Sequence, residues 1–338
     1  MLKNKDELLN KILDVAKRVK KISGELFGEL WQKLRTKITA WWQVALIAVF
    51  LVVFLYYPLG GWLINNIDTS AKLKREKVVD GRLEALDVAS FLINREVYYK
   101  IWTPNLPFVF PSYFLDNMPN FQMGVLSAIE KAVTAFGSMP LVSVSDEARD
   151  DLGEAVKFLK YPPKVWMFSP ENKLKPAPSS STQYKKGRKK LNNFNAEVAK
   201  GKVLVDRSNQ NLALVLHVVK KDIERTIEKV NEHVQENSKS VFDFRKDDVF
   251  YYAQGKLYAY SQILKALGKD FKNVLVKNDV YQQWTAVLKL LRQAADLNPT
   301  IVRNGKPNSS FSPNHLITIS YYSAYAVNKL DFIVNKLD

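Results

Sequence analysis

The sequence predicts an all-α protein in which a single N-terminal transmembrane helix is followed by a multi-helix domain. Three observations support this prediction. No charged residue lies between Lys37 and Asp68. Apolar residues recur at helical spacing through most of the remaining chain, and runs rich in β-branched residues are short and lack a neighbour at hairpin spacing. The 338 residues are 47% hydrophobic and 25% charged, which excludes both a disordered chain and a protein with many spans.

The apolar run reads VALIAVFLVVFLYY from Val44 to Tyr57. About 20 helical residues cross a hydrocarbon core of roughly 30 Å, so residues 41–64 are long enough to span a membrane. A buried core helix is the alternative, but such helices are seldom apolar on every face over this length. Aromatic side chains, which prefer the headgroup level, lie at both ends of the run: Trp41, Trp42, Tyr56, Tyr57 and Trp62.

A cleaved signal peptide is a second alternative, because Thr69-Ser70-Ala71 resembles a small-residue cleavage site. The 37 residues before the run argue against cleavage, since signal peptides begin with a short basic segment and have apolar regions of about 7 to 15 residues. We therefore expect an uncleaved signal anchor.

The basic residues on each side predict the orientation of the span. Three lie in the 15 residues before it and four lie in residues 65–79, so local counting decides nothing. The tail, residues 1–40, contains ten basic residues, and a short basic tail stays in the cytoplasm whereas a long domain crosses largely regardless of charge. We expect the tail inside, a transmembrane helix at 41–64 and an α-helical domain at 65–338 outside.

The tail has the pattern of an amphipathic helix. Its apolar residues alternate spacings of 4 and 3, as in a heptad seam, and fall at Leu8, Ile12, Val15, Val19, Ile22 and Leu26. The other faces are basic. A helix lying on anionic lipid, a short coiled coil with a partner or second copy, and a surface helix with neither role all fit. Gly24 and Gly28 weaken a long coil, since each costs about 1 kcal/mol in a helix interior.

Helical patterns fill the domain, and two of them carry start signals. Asp80 is the expected cap of the first helix, and Ser312 is the expected cap of the last, with Pro313 at its first position. Four prolines forbid regular structure between Trp102 and Pro119. The predicted helices cover residues 81–97, 121–136, 145–160, 182–199, 209–235, 246–267, 280–297 and 313–337.

Few other segments of the domain have a clear pattern. The β-prone runs at 164–168 and 202–206 are short and have no partner at hairpin spacing. Residues 173–181 read KLKPAPSSS, a linker-like composition that either divides the domain near residue 175 or forms a surface loop.

Local motifs identify no catalytic residue, metal or cofactor. The absence of cysteine excludes disulfides, thiolate metal sites and cysteine nucleophiles. No H-E-x-x-H, G-x-S-x-G, Walker A or G-x-G-x-x-G motif occurs. We expect His217 in the core or at its boundary, His233 on an exposed face and His315 in local capping of a helix start. A glycosidase carboxylate pair at a helix junction is the remaining enzymatic alternative.

The charge of the chain indicates an anionic neighbour. The net charge is +16, and the domain contributes 40 basic and 29 acidic residues, or +11. With the domain outside the cytoplasm, nucleic acid is not an expected partner, whereas a membrane surface, an anionic envelope polymer or an acidic protein is. A solvated helix face is the alternative. The densest basic cluster of the domain is Lys185, Lys186, Arg188, Lys189 and Lys190.

Eight passages of the chain are distinctive when taken in order: INREV at 93–97, LDNMPNFQ at 115–122, LKYP at 159–162, QY at 183–184, VFY at 249–251, GKLYAY at 255–260, LRQAA at 291–295 and PNHL at 313–316. They resemble those of a proteobacterial inner-membrane family, the domain of unknown function 2333 family. The resemblance covers about residues 55–337. It implies a Gram-negative source and a periplasmic domain behind one membrane anchor, and it implies no activity.

The passage from Asp116 to Asn120 has two interpretations. Its side chains favour a turn that bonds its own backbone, with Asn120 as the cap of the next helix. Alternatively, polar residues from several segments line a binding groove. That candidate set is Asp116, Asn117, Asn120, Gln122, Asn304, Asn314 and His315.

These observations favour a non-enzymatic membrane protein. We expect the periplasmic domain to act as a scaffold or adaptor subunit of an envelope assembly, with other envelope proteins or a second copy as partners. A periplasmic wall hydrolase and a binding module for anionic envelope polymers are the alternatives.

Overall fold

A computed structural model describes residues 3–73, 79–168, 175–237, 243–305 and 312–338. The chain separates into two compact units, residues 1–59 and residues 60–338. The first unit is helical throughout its described part, and the second unit, called the domain below, contains the remaining elements.

Helix α1, Lys3–Ile64, is continuous for 62 residues, so the expected tail and the expected span form one helix. It is long and apolar enough to cross a membrane, and none of its most apolar 18-residue window is buried. Exposure of this window distinguishes α1 from the core helix of a soluble protein. The structure thus confirms the fold-class prediction of a single N-terminal helix of spanning length.

The domain is predominantly helical in its described part, as the periodicity predicts. A π-helical turn, Arg95–Tyr99, follows α2 directly, and two 3₁₀ turns lie at Thr103–Asn105 and Pro111–Phe114. The helices are α2 (Glu84–Asn94), α3 (Asn117–Gly137), α4 (Asp146–Leu159), α5 (Ser180–Ala199), α6 (Asn209–Glu236), α7 (Lys246–Asp270), α8 (Lys272–Lys277), α9 (Tyr281–Ala295) and α10 (His315–Leu337).

Two short strands form the sheet structure of the described domain. Strand β1, Leu141–Ser143, pairs antiparallel with β2, Leu204–Val205. The run at 202–206 therefore has a partner, but one that lies two helices earlier in the chain, where hairpin spacing does not reach. The run at 164–168 is not a strand, and its Phe168 makes an isolated bridge with Pro176.

The sequence placed three helix starts wrongly. Asp80 does not cap α2; the Glu84 and Ala85 amides donate to the Asp270 carboxylate at 2.8 and 2.9 Å. Local patterns do not reveal this distant partner.

The other two helix starts that the sequence predicted wrongly are those of α3 and α10. Asn120 lies inside α3, whose cap is Asp116, so regular structure resumes before Pro119. Helix α10 begins after Asn314, whose Oδ1 accepts from the Ile317 amide at 2.8 Å, rather than after Ser312.

Helix α7 is the centre of the domain, with α2, α3, α6, α9 and α10 packed around it. It contacts α3 most closely, because Gly124 and Gly255 face the partner backbone: an added Cβ on either would overlap the carbonyl oxygen of Tyr252 or Phe121. Helix α10 packs on α6 and α9, and α5 packs on α4 and α2. Contacts therefore join the segments on both sides of residue 175 within one unit.

Candidate functional site

The first turn of α7 gathers carboxyl groups. The Asn120 side-chain amide donates to the Asp248 Oδ1 at 2.6 Å, which ties the first turn of α3 to that of α7. Burial, reinforced by the nearby Asp116 charge, raises the pKa of both Asp247 and Asp248. Asn117 lies beside this cluster with its Oδ1 buried and without a hydrogen bond. The sequence-predicted residues 116, 117 and 120 therefore lie at one helix junction.

A second group of polar side chains lies just before α7. Asp243 accepts from His233 at 3.0 Å, and both side chains are buried. The Asn304 amide donates to Asp243 at 3.4 Å, and the Asn314 amide donates to the Asn304 Oδ1 at 2.8 Å. This chain of bonds connects the start of α10 to the start of α7.

His315 completes this group through its Nδ1, which accepts from the Arg303 amide at 2.9 Å. Its ring lies 6.5 Å from the ring of Phe250, centroid to centroid. Burial and the Arg303 charge lower the pKa of His315, so the neutral imidazole is the form that accepts this bond. The expected role in local capping is corrected: Asn314 caps α10, and His315 instead binds the backbone of Arg303, twelve residues earlier in the chain.

Gln122 lies apart from the other six predicted residues and is fully buried. Its Nε2 donates to the carbonyl oxygens of Glu96 and Ile101 at 2.9 and 3.0 Å, and its Oε1 accepts from the Thr103 amide and hydroxyl at 2.9 and 2.7 Å. Ile101 has a φ of 59°, a strained conformation for a β-branched residue. Gln122 therefore holds the backbone where the chain leaves the π turn.

The structure corrects the expectations for two histidines. His217 is not in the core; its side chain is 52% exposed and lies 3.3 Å from the Asp338 carboxylate. His233 is not on an exposed face but is 6% exposed, because the chain after α6 folds back and brings Asp243 against it. The periodicity of α6 alone does not reveal this contact.

Two buried ionic groups were not foreseen from the sequence. The Arg95 Nε donates to the Glu96 carboxylate at 2.6 Å and its Nη1 to the Tyr258 hydroxyl at 2.6 Å. The Lys256 ammonium lies 2.9 Å from the Asp222 carboxylate. The passages that carry the family resemblance include Arg95, Glu96 and Tyr258. That resemblance is the one sequence feature that could have drawn attention to these residues.

The five basic residues of α5 do not form one free patch. The Lys190 ammonium lies 2.9 Å from Asp151 and 2.6 Å from Glu154. Lys185 lies over the Tyr98 ring at 4.6 Å. Lys186 and Lys189 are exposed, and Arg188 is half-buried. Helical geometry and the acidic α4 thus divide a cluster that is contiguous in sequence.

The described domain has open clefts, two of which are compared with the predicted site residues. One, of about 620 Å³, has Tyr98 and Lys185 as its titratable lining residues among mainly apolar neighbours such as Trp102 and Trp166. The other, of about 970 Å³, lies between α4 and α5, where Lys190 neutralises two of the lining carboxylates. No group of three histidine, aspartate or glutamate side chains among the described residues is arranged to hold a metal ion.

Comparison with known proteins gives a family and no activity. No curated protein and no solved structure matches the chain. One family model matches a part of the chain that contains the resembling passages at 249–251, 255–260, 291–295 and 313–316, together with α6, α7, α8 and α9. Residues 205–333 match the model of the family described as "Uncharacterized protein conserved in bacteria (DUF2333)", which confirms over that part of the chain the family that the sequence motifs resemble.

Proposed function

We propose that this is a bitopic inner-membrane protein whose periplasmic domain serves as a scaffold or adaptor subunit of an envelope assembly. Helix α1 is the anchor, and the ten basic residues of the tail favour its retention in the cytoplasm. The domain then presents its helical surface to the periplasm.

The observation that carries this proposal is an exposed aromatic stripe on α10, made of Tyr321, Tyr325 and Phe332. Their exposed fractions are 53%, 48% and 42%. Spacings of 4 and 7 place the three side chains on one helix face, and the first two rings lie 4.6 Å apart, centroid to centroid. The opposite face of α10 is buried on α6 and α9, so the helix itself is fixed.

Such a stripe suits a protein partner. Tyrosine and phenylalanine are enriched at protein interfaces and supply many of their strongest contacts. Asn328, Lys329, Asn335 and Lys336 surround the stripe, which gives the polar rim typical of interfaces. The fixed helix would lose little conformational entropy on binding.

The described clefts support a binding role better than an enzymatic one. An active site is expected to join titratable groups of perturbed pKa in a concave pocket. Asp247 and Asp248 have raised pKa values, but they do not line either cleft. In the charged cleft, the carboxylates of Asp151 and Glu154 are ion-paired with Lys190.

Copurification tests the proposal directly. The full chain with an affinity tag, isolated from gently solubilised membranes of its source, should be recovered with a stoichiometric partner or as an oligomer. The variant Y321A/Y325A/F332A should lose that partner at least about tenfold while keeping its melting temperature, because the removed side chains are exposed and contribute little to folding.

The variant Tyr281→Ala is the matched control, since Tyr281 is 49% exposed on α9 and lies outside the stripe. It should retain the partner. A wild-type chain recovered as a solitary monomer, or equal retention by all three proteins, would contradict the proposed role of α10.

A further inference from the structure

The domain has a second aromatic surface, built from three segments that meet beside the π turn. Residues 98–101, 110–113 and 166–168 contribute side chains that are between 38% and 72% exposed. Contiguous exposed apolar patches mark interaction surfaces, whereas single exposed apolar residues are ordinary. We call it the aromatic surface; its members are Tyr98, Tyr99, Ile101, Phe110, Tyr113, Trp166, Met167 and Phe168.

Hydrogen bonds join two of these segments, and the third is connected through the contact between the 3₁₀ turns Thr103–Asn105 and Pro111–Phe114. The Trp102 indole donates to the Pro163 carbonyl at 2.9 Å, and the Asn105 amide donates to the Val165 carbonyl at 2.8 Å. Tyr98, Ile101, Trp166 and Met167 border the same cleft of about 620 Å³. The aromatic surface is therefore a single fixed feature, although its members are distant in sequence.

The aromatic surface adjoins the end of the membrane-spanning helix. Gly60 packs so closely on Pro111 that an added Cβ would lie 2.5 Å from the proline Cγ. An added Cβ on Gly61 would lie 3.6 Å from Leu115. The Lys100 ammonium donates to the Asn66 carbonyl at 2.8 Å. These contacts place the segments around 100 and 111 beside residues 60–66, which form the last turn of α1 and the residues after it.

The chemistry of the aromatic surface matches the headgroup level of a bilayer. Tryptophan and tyrosine prefer the headgroup region, and lysines attract anionic lipid. Three lysines border the segments: Lys164 and Lys175, which are exposed, and Lys185, which lies over the Tyr98 ring. Asp68, close to Arg95 and Lys100, is an acidic residue on this side of the domain.

We propose that the aromatic surface is a second membrane contact, which lies in the headgroup region of the bilayer crossed by α1. The span supplies one attachment and the aromatic surface supplies another, so that the domain is held against the lipid rather than hanging free. This inference depends on the span but not on its direction or on a partner at α10.

Single-cysteine labelling tests the contact in the full chain, which has no native cysteine. Phe110→Cys and Tyr113→Cys each carry a nitroxide label, and Val142→Cys, 68% exposed on β1, is the control. The labelled proteins are reconstituted at one copy per nanodisc of phosphatidylethanolamine and phosphatidylglycerol, and collision rates with oxygen and with a water-soluble nickel chelate are measured by electron paramagnetic resonance.

The proposal predicts an oxygen-to-nickel collision ratio at residues 110 and 113 that is at least about threefold the ratio at residue 142. Equal ratios at the three sites would overturn it. A low collision rate with the nickel chelate that appears only when several copies share a disc would show that a second copy covers the aromatic surface. That result would also overturn the proposal. Melting temperatures within about 2 °C of the wild type exclude a folding defect as the cause.

Discussion

Asp270 illustrates how a distant side chain replaces a local cap. Its two carboxylate oxygens accept from the Glu84 and Ala85 amides, where α2 lacks a side-chain cap of its own. Burial opposes the charge on this carboxylate more strongly than the two amide bonds favour it, and the pKa of Asp270 is raised from 3.8 to about 6. Asp270 therefore fixes the start of α2 and also makes the unfolding free energy depend on pH.

The variant Asp270→Asn should remove that pH dependence. Because the folded state has the higher pKa, protonated Asp270 stabilises the fold fully below 3.8, and this contribution is lost as the pH rises through about 6. Relative to Asp270→Asn, the wild type should lose up to about 3 kcal/mol of unfolding free energy over this range. Chemical denaturation in detergent followed by circular dichroism at several pH values measures the difference.

The exposed Asp150 supplies the control, since Asp150→Asn should keep the wild-type profile. A pH profile of Asp270→Asn that parallels the wild type between the two pKa values would show that Asp270 does not cause the dependence.

Sequence reasoning reached some individual residues and missed others for a physical reason. The sequence assigns Asp116, Asn120 and Asn314 to a polar groove, and the structure places them at or near the starts of α3 and α10. The sequence places Gln122 in the same groove, but its side chain is buried and binds the Glu96 carbonyl and Thr103. These partners come from another segment, so local patterns do not show them. Asp222 and Lys256 were not chosen, since a charge pair between two helices leaves no signal in either helix alone.

The crossing of α3 and α7 is the central contact between elements. Their contacts advance in step, from Asn120 with Asp248 to Gly124 with Tyr252, so the two helices run in the same direction. Two small residues at the crossing let the backbones approach, as expected where a Cβ would overlap a carbonyl oxygen. The cap of α3, Asp116, and the acidic first turn of α7 consequently lie together.

Adding a methyl group at this crossing should destabilise the domain. Gly124→Ala and Gly255→Ala should each lower the unfolding free energy by about 1 to 3 kcal/mol or more, because a backbone shift is needed to accommodate the Cβ. Thermal melting in detergent measures this, at roughly 2 to 4 °C per kcal/mol for a domain of similar size.

Gly153→Ala is the matched control within α4, since its added Cβ would meet nothing within 4 Å. It should raise stability by about 0.5 to 1 kcal/mol through helix propensity alone. If all three substitutions stabilise, the close approach of α3 and α7 is wrong.

The helices were the most predictable elements, because one face of each packs on the core and leaves a periodic apolar pattern. Their ends were less predictable. The cap of α2 comes from a residue 186 positions away, and β2 pairs with a strand two helices earlier. The α10 stripe was not recognised, because aromatic residues recur on the buried and exposed faces of that helix alike.

At the scale of the whole molecule, the chain consists of an exposed apolar helix and a helical domain with two exposed aromatic faces. We propose a protein partner for the stripe on α10 and lipid for the aromatic surface near the end of α1. Composition and the charge-free run predicted the anchor from sequence, because a bilayer imposes a length and a polarity that local reading detects. The two exposed aromatic faces could be recognised only from the structure, because their side chains are exposed and leave no periodic pattern that distinguishes them.

The orientation of the single span tests the account most directly, because the periplasmic role depends on it. Alkaline phosphatase fused after Asp338 should be active, and a fluorescent protein that fails to mature after export should be dark at the same position. Fusions made at residue 40 should give the reverse pair of signals, and protease added to spheroplasts should digest the domain. An inactive phosphatase and a bright fluorescent protein after Asp338 would place the +11 domain in the cytoplasm and contradict the proposed envelope function.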